Sequence, residues 1–218
     1  MKSQNKLNLQ PTATINRQKV QFTEMFIEVN GLNQSGFKSW IFCPGMLFNS
    51  LDKWWGDHGQ REIAHEGIDL CLYMDHANQM HRFDETTQIP VFYDGVVKAI
   101  FTDFLGKAVI IEHKDAGNAH GRFLSIYAHT KPRVGVQIGV MVKEGDIIAT
   151  LADTSKSKSN IIPHLHFSLG LPSPNLTYNA FIWNTIRKPD MITLLDPLGI
   201  LDFPYQELAS KNPYCQNL

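Results

Sequence analysis

The chain has 218 residues, 43% of them hydrophobic and 19% charged, the balance of an ordinary globular protein built around one core. A formal net charge of −1 gives no basic stripe for nucleic acid or anionic lipid, and no apolar run approaches the ~20 residues of a membrane span. Three distant cysteines, Cys43, Cys71 and Cys215, with no C-x-x-C pair, exclude a disulfide framework and an all-cysteine zinc site. They leave room for one disulfide and one free thiol, in any pairing.

Residues 1–20 are polar and unpatterned and read as a tail or arm, without the apolar middle of a signal peptide. From Val20 to Phe42 short apolar bursts (VQFTEMFIEV, then WIF), broken by Asn-Gly and Ser-Gly, predict strands joined by tight turns. Gly45 to Gln60 reads as a short amphipathic helix or a loop, with Trp54 and Trp55 as packing residues. From residue 61 to 170 a series of β-like runs follows: HEGIDLCLY, GVVKAIFT, GKAVIIEH, RFLSIYAH, GDIIATLA and HLHFSLG. This is an all-β core. From Asn179 an apolar stretch with two prolines is expected to pack back on the sheet. The expected division is an arm at 1–20, an N-terminal segment at 21–60, the main domain at 61–205 and a tail at 206–218.

Strand alternation sorts the nine histidines. In HLHFSL, His164, His166 and Ser168 share one face and Leu165, Phe167 and Leu169 the other, so two imidazoles project side by side from a strand anchored in the core. The same reading groups Ser125, Tyr127 and His129, opposite Leu124, Ile126 and Ala128. His65 and Asp69 share parity, but four residues of straight strand span ~13 Å, so a bulge or bend at Gly67 is needed to bring them together. Two His and one Asp are a sufficient ligand set for catalytic zinc, which takes three protein ligands and leaves a position for water.

In this order the motifs resemble the lysostaphin or LytM-type zinc metallopeptidases. The resemblance runs over roughly residues 54 to 170: Trp55-Gly56 and Arg61 before HEGID, then PVFYDGVV, GKAVIIEH and the YAH ending at His129. A V-x-x-G-x-x-V-x-x-G-D-x-I stretch from Val136 to Ile148 and PHLHF from Pro163 to Phe167 complete it. The resemblance implies one zinc per chain held by His65, Asp69 and His166, with His129 and His164 as catalytic residues that do not bind the metal. It also implies a mainly β fold of the duplicated hybrid motif type, an antiparallel core with an open cleft and N- and C-terminal extensions. It further implies a peptide substrate, foremost the cross-links of bacterial peptidoglycan, and a periplasmic or secreted location.

The chain departs from the family pattern in LADTSKSKSNIIPHLHF, a longer loop without glycine before the H-x-H, and in Thr130 after the YAH. An upstream asparagine caps the metal in some relatives, and Asn30, Asn33 and Asn49 are the candidates here. Glu66 faces away from His65 by parity and is not taken as the base. His113 reads as structural, His58, His76, His81 and His120 as surface residues, and Cys71 shares parity with Asp69. The rival readings are a latent or non-catalytic regulator of the same fold, which binds cell-wall peptide or a protein, and a metal-free phosphotransfer domain.

Overall fold

The computed structural model describes residues 21–114, 121–157, 161–179 and 181–218; the expected arm at 1–20 and His120 lie outside them. The element order is α1 (Phe22–Val29), α2 (Leu32–Ser35), β1 (Phe37–Phe42), β2 (Ile68–Leu70), β3 (Leu72–Asp75), β4 (Met80–Arg82), β5 (Gln88–Pro90) and β6 (Gly95–Thr102). There follow β7 (Lys107–Lys114), β8 (Arg122–Pro132), β9 (Met141–Val142), β10 (Ile147–Leu151), β11 (Leu165–Pro172), α3 (Trp183–Ile186), β12 (Ile192–Leu195), α4 (Leu198–Leu201), β13 (Tyr205–Glu207) and α5 (Pro213–Gln216). The protein is mainly β, as its alternating patterns require.

The larger sheet runs β12-β11-β8-β7-β6-β9, with β2 added to β11 and the β5-β10 pair attached through β8. Every pairing in it is antiparallel. A smaller sheet, β13-β1-β3-β4, carries one parallel pair, β1 with β13. Phe167, Leu165 and Leu169 of β11 point into the main core with Tyr127, Phe92, Phe22 and Trp40, whereas Ile126, Leu124 and Ala128 join a second apolar layer with Phe181, Ile186 and Ile192. The C-terminal segment therefore covers the outer face, and β12 extends the sheet along β11.

Within the stretch VQFTEMFIEV, Phe22–Val29 forms α1, not the strand expected there. Buried Phe22 and Phe26, and buried Thr23 and Ile27, recur at four-residue spacing, with Glu24 and Glu28 exposed between them. That is a helical stripe, which short apolar bursts conceal when read two residues at a time. Phe22 stacks on Phe167 at 5.5 Å between ring centroids, so α1 braces β11 from behind. Residues 45–60 form turns and loop rather than a helix. Cys43 and Cys215 form the disulfide, leaving Cys71 free and buried.

Candidate metal centre

β2 and β11 pair in a register that sets Asp69 directly opposite His166. The chain enters β2 through Gly67, where a Cβ would stand 2.2 Å from the Phe167 carbonyl oxygen and 2.6 Å from Ser168 Oγ. Only a glycine lets the backbones come this close. The approach turns His65, which lies before the strand begins, onto the same cluster. His65 Nε2 is 3.1 Å from Asp69 Oδ1 and 3.0 Å from His166 Nδ1, and His166 Nδ1 is 3.0 Å from Asp69 Oδ1. Among the described residues this is the one group of His, Cys, Asp and Glu side chains arranged to hold a metal ion, and all three are buried.

The outward-facing ring atoms are fixed as well. His65 Nδ1 is 3.0 Å from the Leu47 carbonyl, which only a donor satisfies, so its Nε2 carries the lone pair. His166 Nε2 is 3.0 Å from Ser168 Oγ, the next residue on its own strand face. The Trp54 indole donates to Asp69 Oδ2 at 2.7 Å, and Arg61 Nη2 lies 3.7 Å from the same oxygen. Burial opposes the charge of Asp69, but the His65 and His164 rings beside it and the close contact with His166 hold its carboxyl well below the usual carboxylate range.

His164 donates Nδ1 to the Ile162 carbonyl at 2.9 Å and turns Nε2 toward Asp69 Oδ1, 3.8 Å away. Burial is the main cause that pushes its pKa down to about 3, so the ring is neutral near pH 7. His129 packs on both, with ring centroids 4.8 Å from His164 and 5.7 Å from His166. All five expected site residues thus converge.

His129 does not get there by alternation. Phe167 pairs with Tyr127, and His166 with Ala128, so Tyr127 lies on the core face and a regular strand would send His129 with it. Between Tyr127 and Thr130 β8 holds one residue more than β7 does between Val109 and Lys107, and His129 has φ 61°. This bulge returns the imidazole to the His166 face. The grouping of Ser125, Tyr127 and His129 on one polar face is therefore corrected: Ser125 and Tyr127 are wholly buried, with Ser125 bonded to His113.

Three further contacts escape sequence reading. Trp54, expected only to pack, is also a donor to Asp69. Trp183 of α3 meets the His166 ring edge-on at 5.1 Å, and Arg187 hydrogen-bonds Glu66. Glu66 is thereby held in an ion pair and is not one of the three donors of the cluster. No local motif signals the Arg187 contact, because it joins segments more than a hundred residues apart.

The remaining candidates fall outside the cluster. His113 is buried between the Asp94 carbonyl and Ser125, with its pKa pushed down to about 4 chiefly by burial. His58 and His76 are exposed, and His81 is half-buried beside Asp75. The buried Cys71 thiol is pushed well up by desolvation and by Asp69 and does not join the group. The Asn30 side chain is committed to Phe26 and Gln88, while Asn33 and Asn49 are exposed.

Fold and cluster together define a mainly antiparallel β protein with a buried His-Asp-His group in front of two further histidines. The sequence model of Peptidase family M23 matches residues 65–174, half of the chain, and the chain belongs to that family. Among solved structures it is similar to lysostaphin, at 20% identity and a TM-score of 0.41, over 69% of this chain and 49% of that one. It is similar also to the catalytic domain of the prophage-encoded M23 protein EnpA from Enterococcus faecalis, at 25% identity and TM-score 0.36, over 58% and 86% of the two chains. A third likeness is to a Ruminococcus gnavus protein assigned as a glycyl-glycine endopeptidase lytM, at 16% identity and TM-score 0.38, over 66% and 51%. The chain thus spans about half the length of lysostaphin. Comparison with curated proteins gives no match. Among the described residues no helix is long and apolar enough to cross a membrane.

Proposed function

We propose that the protein is a zinc-dependent endopeptidase that hydrolyses peptide cross-links of bacterial peptidoglycan outside the cytoplasm. The observation that carries this reading is the triangle of His65 Nε2, Asp69 Oδ1 and His166 Nδ1, 3.0–3.1 Å on a side, within a chain of a peptidase family. Ligand atoms ~2.0–2.2 Å from a tetrahedral zinc lie ~3.3–3.6 Å apart, so the donors need to spread by only a few tenths of an ångström to hold one. Two imidazoles and a carboxylate also match its preference for nitrogen and oxygen.

Zinc in this place supplies an activated water at neutral pH and polarises the scissile carbonyl. The chain's own residues do the rest. His164, neutral and with Nε2 turned to the cluster, and His129 beside it, take up and return the proton and donate to the oxyanion as it forms. Asp69 stays ionised, and Trp54, Leu47 and Ser168 keep the three donors oriented. The Cys43–Cys215 disulfide supports a periplasmic or secreted location, since such bonds persist in oxidising compartments.

The test is elemental analysis of wild type beside His166→Ala, then incubation with purified peptidoglycan. Near-stoichiometric zinc, lost in the variant, with release of cross-link peptides by wild type alone, is the expected result. Absence of zinc from protein prepared without chelator would remove the reading, and zinc without cleavage would replace it with a latent regulator.

A further inference from the structure

Asp103 stands in the turn between β6 and β7, twenty-six residues before His129, and its side chain is wholly buried. One oxygen, Oδ1, accepts the backbone N–H groups of Leu105 at 3.0 Å and Gly106 at 2.7 Å, which fixes the carboxylate in its own turn. The other, Oδ2, accepts the backbone N–H of His129 at 2.7 Å, at the residue whose φ of 61° makes the bulge. His129 Nδ1 lies 3.3 Å from Oδ1 but off the hydrogen-bonding direction. It is a buried ring nitrogen without a hydrogen-bond partner among the described residues. Burial works against the charge of Asp103, yet the adjoining His129 ring and the N–H groups of His129 and Gly106 bring its pKa down to about 2.

A non-glycine residue in the left-handed region needs a compensating contact, and here the contact comes from the carboxylate that also faces the ring. We propose that Asp103 is the positioning residue of His129, holding the bulge that turns the imidazole toward His166 and keeping the proton on Nδ1 so that Nε2 faces the reacting groups. This rests on the reading of His129 as a catalytic residue. Among the described residues Asp103 makes no hydrogen bond or ion pair with His65, Asp69 or His166, and acts through His129. The bland alternative is a carboxylate that only caps the Leu105–Gly106 turn.

The variant that separates the two is Asp103→Asn: its amide oxygen in the place of Oδ1 still serves the turn but carries no charge to hold a proton on the facing Nδ1, and its NH₂ group in the place of Oδ2 cannot accept the backbone N–H of His129. Long-range ¹H–¹⁵N spectra of the metal-free protein at pH 8 read the His129 tautomer with no turnover required. Wild type is expected as the Nδ1–H form, with the variant shifted toward Nε2–H. In the zinc-loaded protein kcat falls ~10–100-fold, the effect of losing a carboxylate that orients a functional histidine, with KM and zinc content unaltered. In a His129→Ala background the same substitution costs nothing more. A wild-type His129 found as Nε2–H overturns the proposal whether or not any variant folds, and so does an undiminished loss in the His129→Ala background. If wild type binds zinc but cleaves nothing, the peptidase reading fails while the tautomer still decides the role of Asp103.

Discussion

Replacing Gly67 by alanine tests how the cluster is assembled. The added Cβ would meet the Phe167 carbonyl oxygen at 2.2 Å, its carbonyl carbon at 2.8 Å and Ser168 Oγ at 2.6 Å. An ordinary contact needs roughly 1 Å more than the shortest of these, and the obstacle is backbone, which cannot swing aside as a side chain would. The displaced carbonyl belongs to the residue between His166 and Ser168, so relief must move β2 away from β11. That pairing sets the separation of Asp69 from His166. Metal ligands tolerate ~0.2 Å of displacement, so a shift several times larger breaks the ligand triangle. Overpacking of this kind costs about 1–3 kcal/mol, and a chain of this size loses ~2–4 °C in melting temperature for each kcal/mol. Zinc titration calorimetry and thermal melting of metal-free wild type and Gly67→Ala read the two effects separately. We expect a lower melting temperature and at least a tenfold loss of zinc affinity, at the weak end of what outer-contact changes produce, ~10–100-fold. Wild-type affinity together with an unchanged melting temperature would show that close approach at Gly67 does not set the site.

Trp54→Phe keeps the ring against His164 but removes the donor to Asp69 Oδ2; a loss of ~1.5–3 kcal/mol in zinc binding is expected, and equal affinity by calorimetry would contradict it. His113, with its folded pKa at about 4 against an ordinary histidine value of 6.5, binds its proton more readily when unfolded, so stability falls as pH drops from 6.5 to 4, by about 3 kcal/mol from this group. Urea melts across that range should show a shallower fall for His113→Gln than for wild type; parallel curves would exclude the assignment. Opening the Cys43–Cys215 bridge, whose ends are 172 residues apart, should cost about 2–5 kcal/mol, read as a lower urea midpoint for the Cys43→Ser, Cys215→Ser double variant. An unchanged midpoint would show that the bridge adds nothing to stability.

Much of the architecture is legible in the chain because strand alternation is a local property. HLHFSL, with Leu165 and Phe167 inward and His164, His166 and Ser168 outward, can be read from six letters. The pairing of His65 with Asp69 is legible as well, through the glycine between them. Alternation gave way in two places. In α1 the apolar residues come in adjacent pairs at helical spacing, and such pairs satisfy a strand reading in any short window. At His129 the period itself breaks, because one extra residue in β8 reverses every later side chain, and a bulge leaves no composition signal where the left-handed residue is not glycine.

Local pattern therefore carries the β class and the face of each regular strand, and the family resemblance carries the five residues that converge. The partners of those residues were decided by tertiary structure alone: Asp103 on His129, Trp54 on Asp69, Trp183 on His166, and the choice of Cys43 with Cys215. The physical reason is range. Alternation is written in neighbouring residues, whereas a buried hydrogen bond between distant segments depends on strand register and bulges, which the packed sheet sets as a whole.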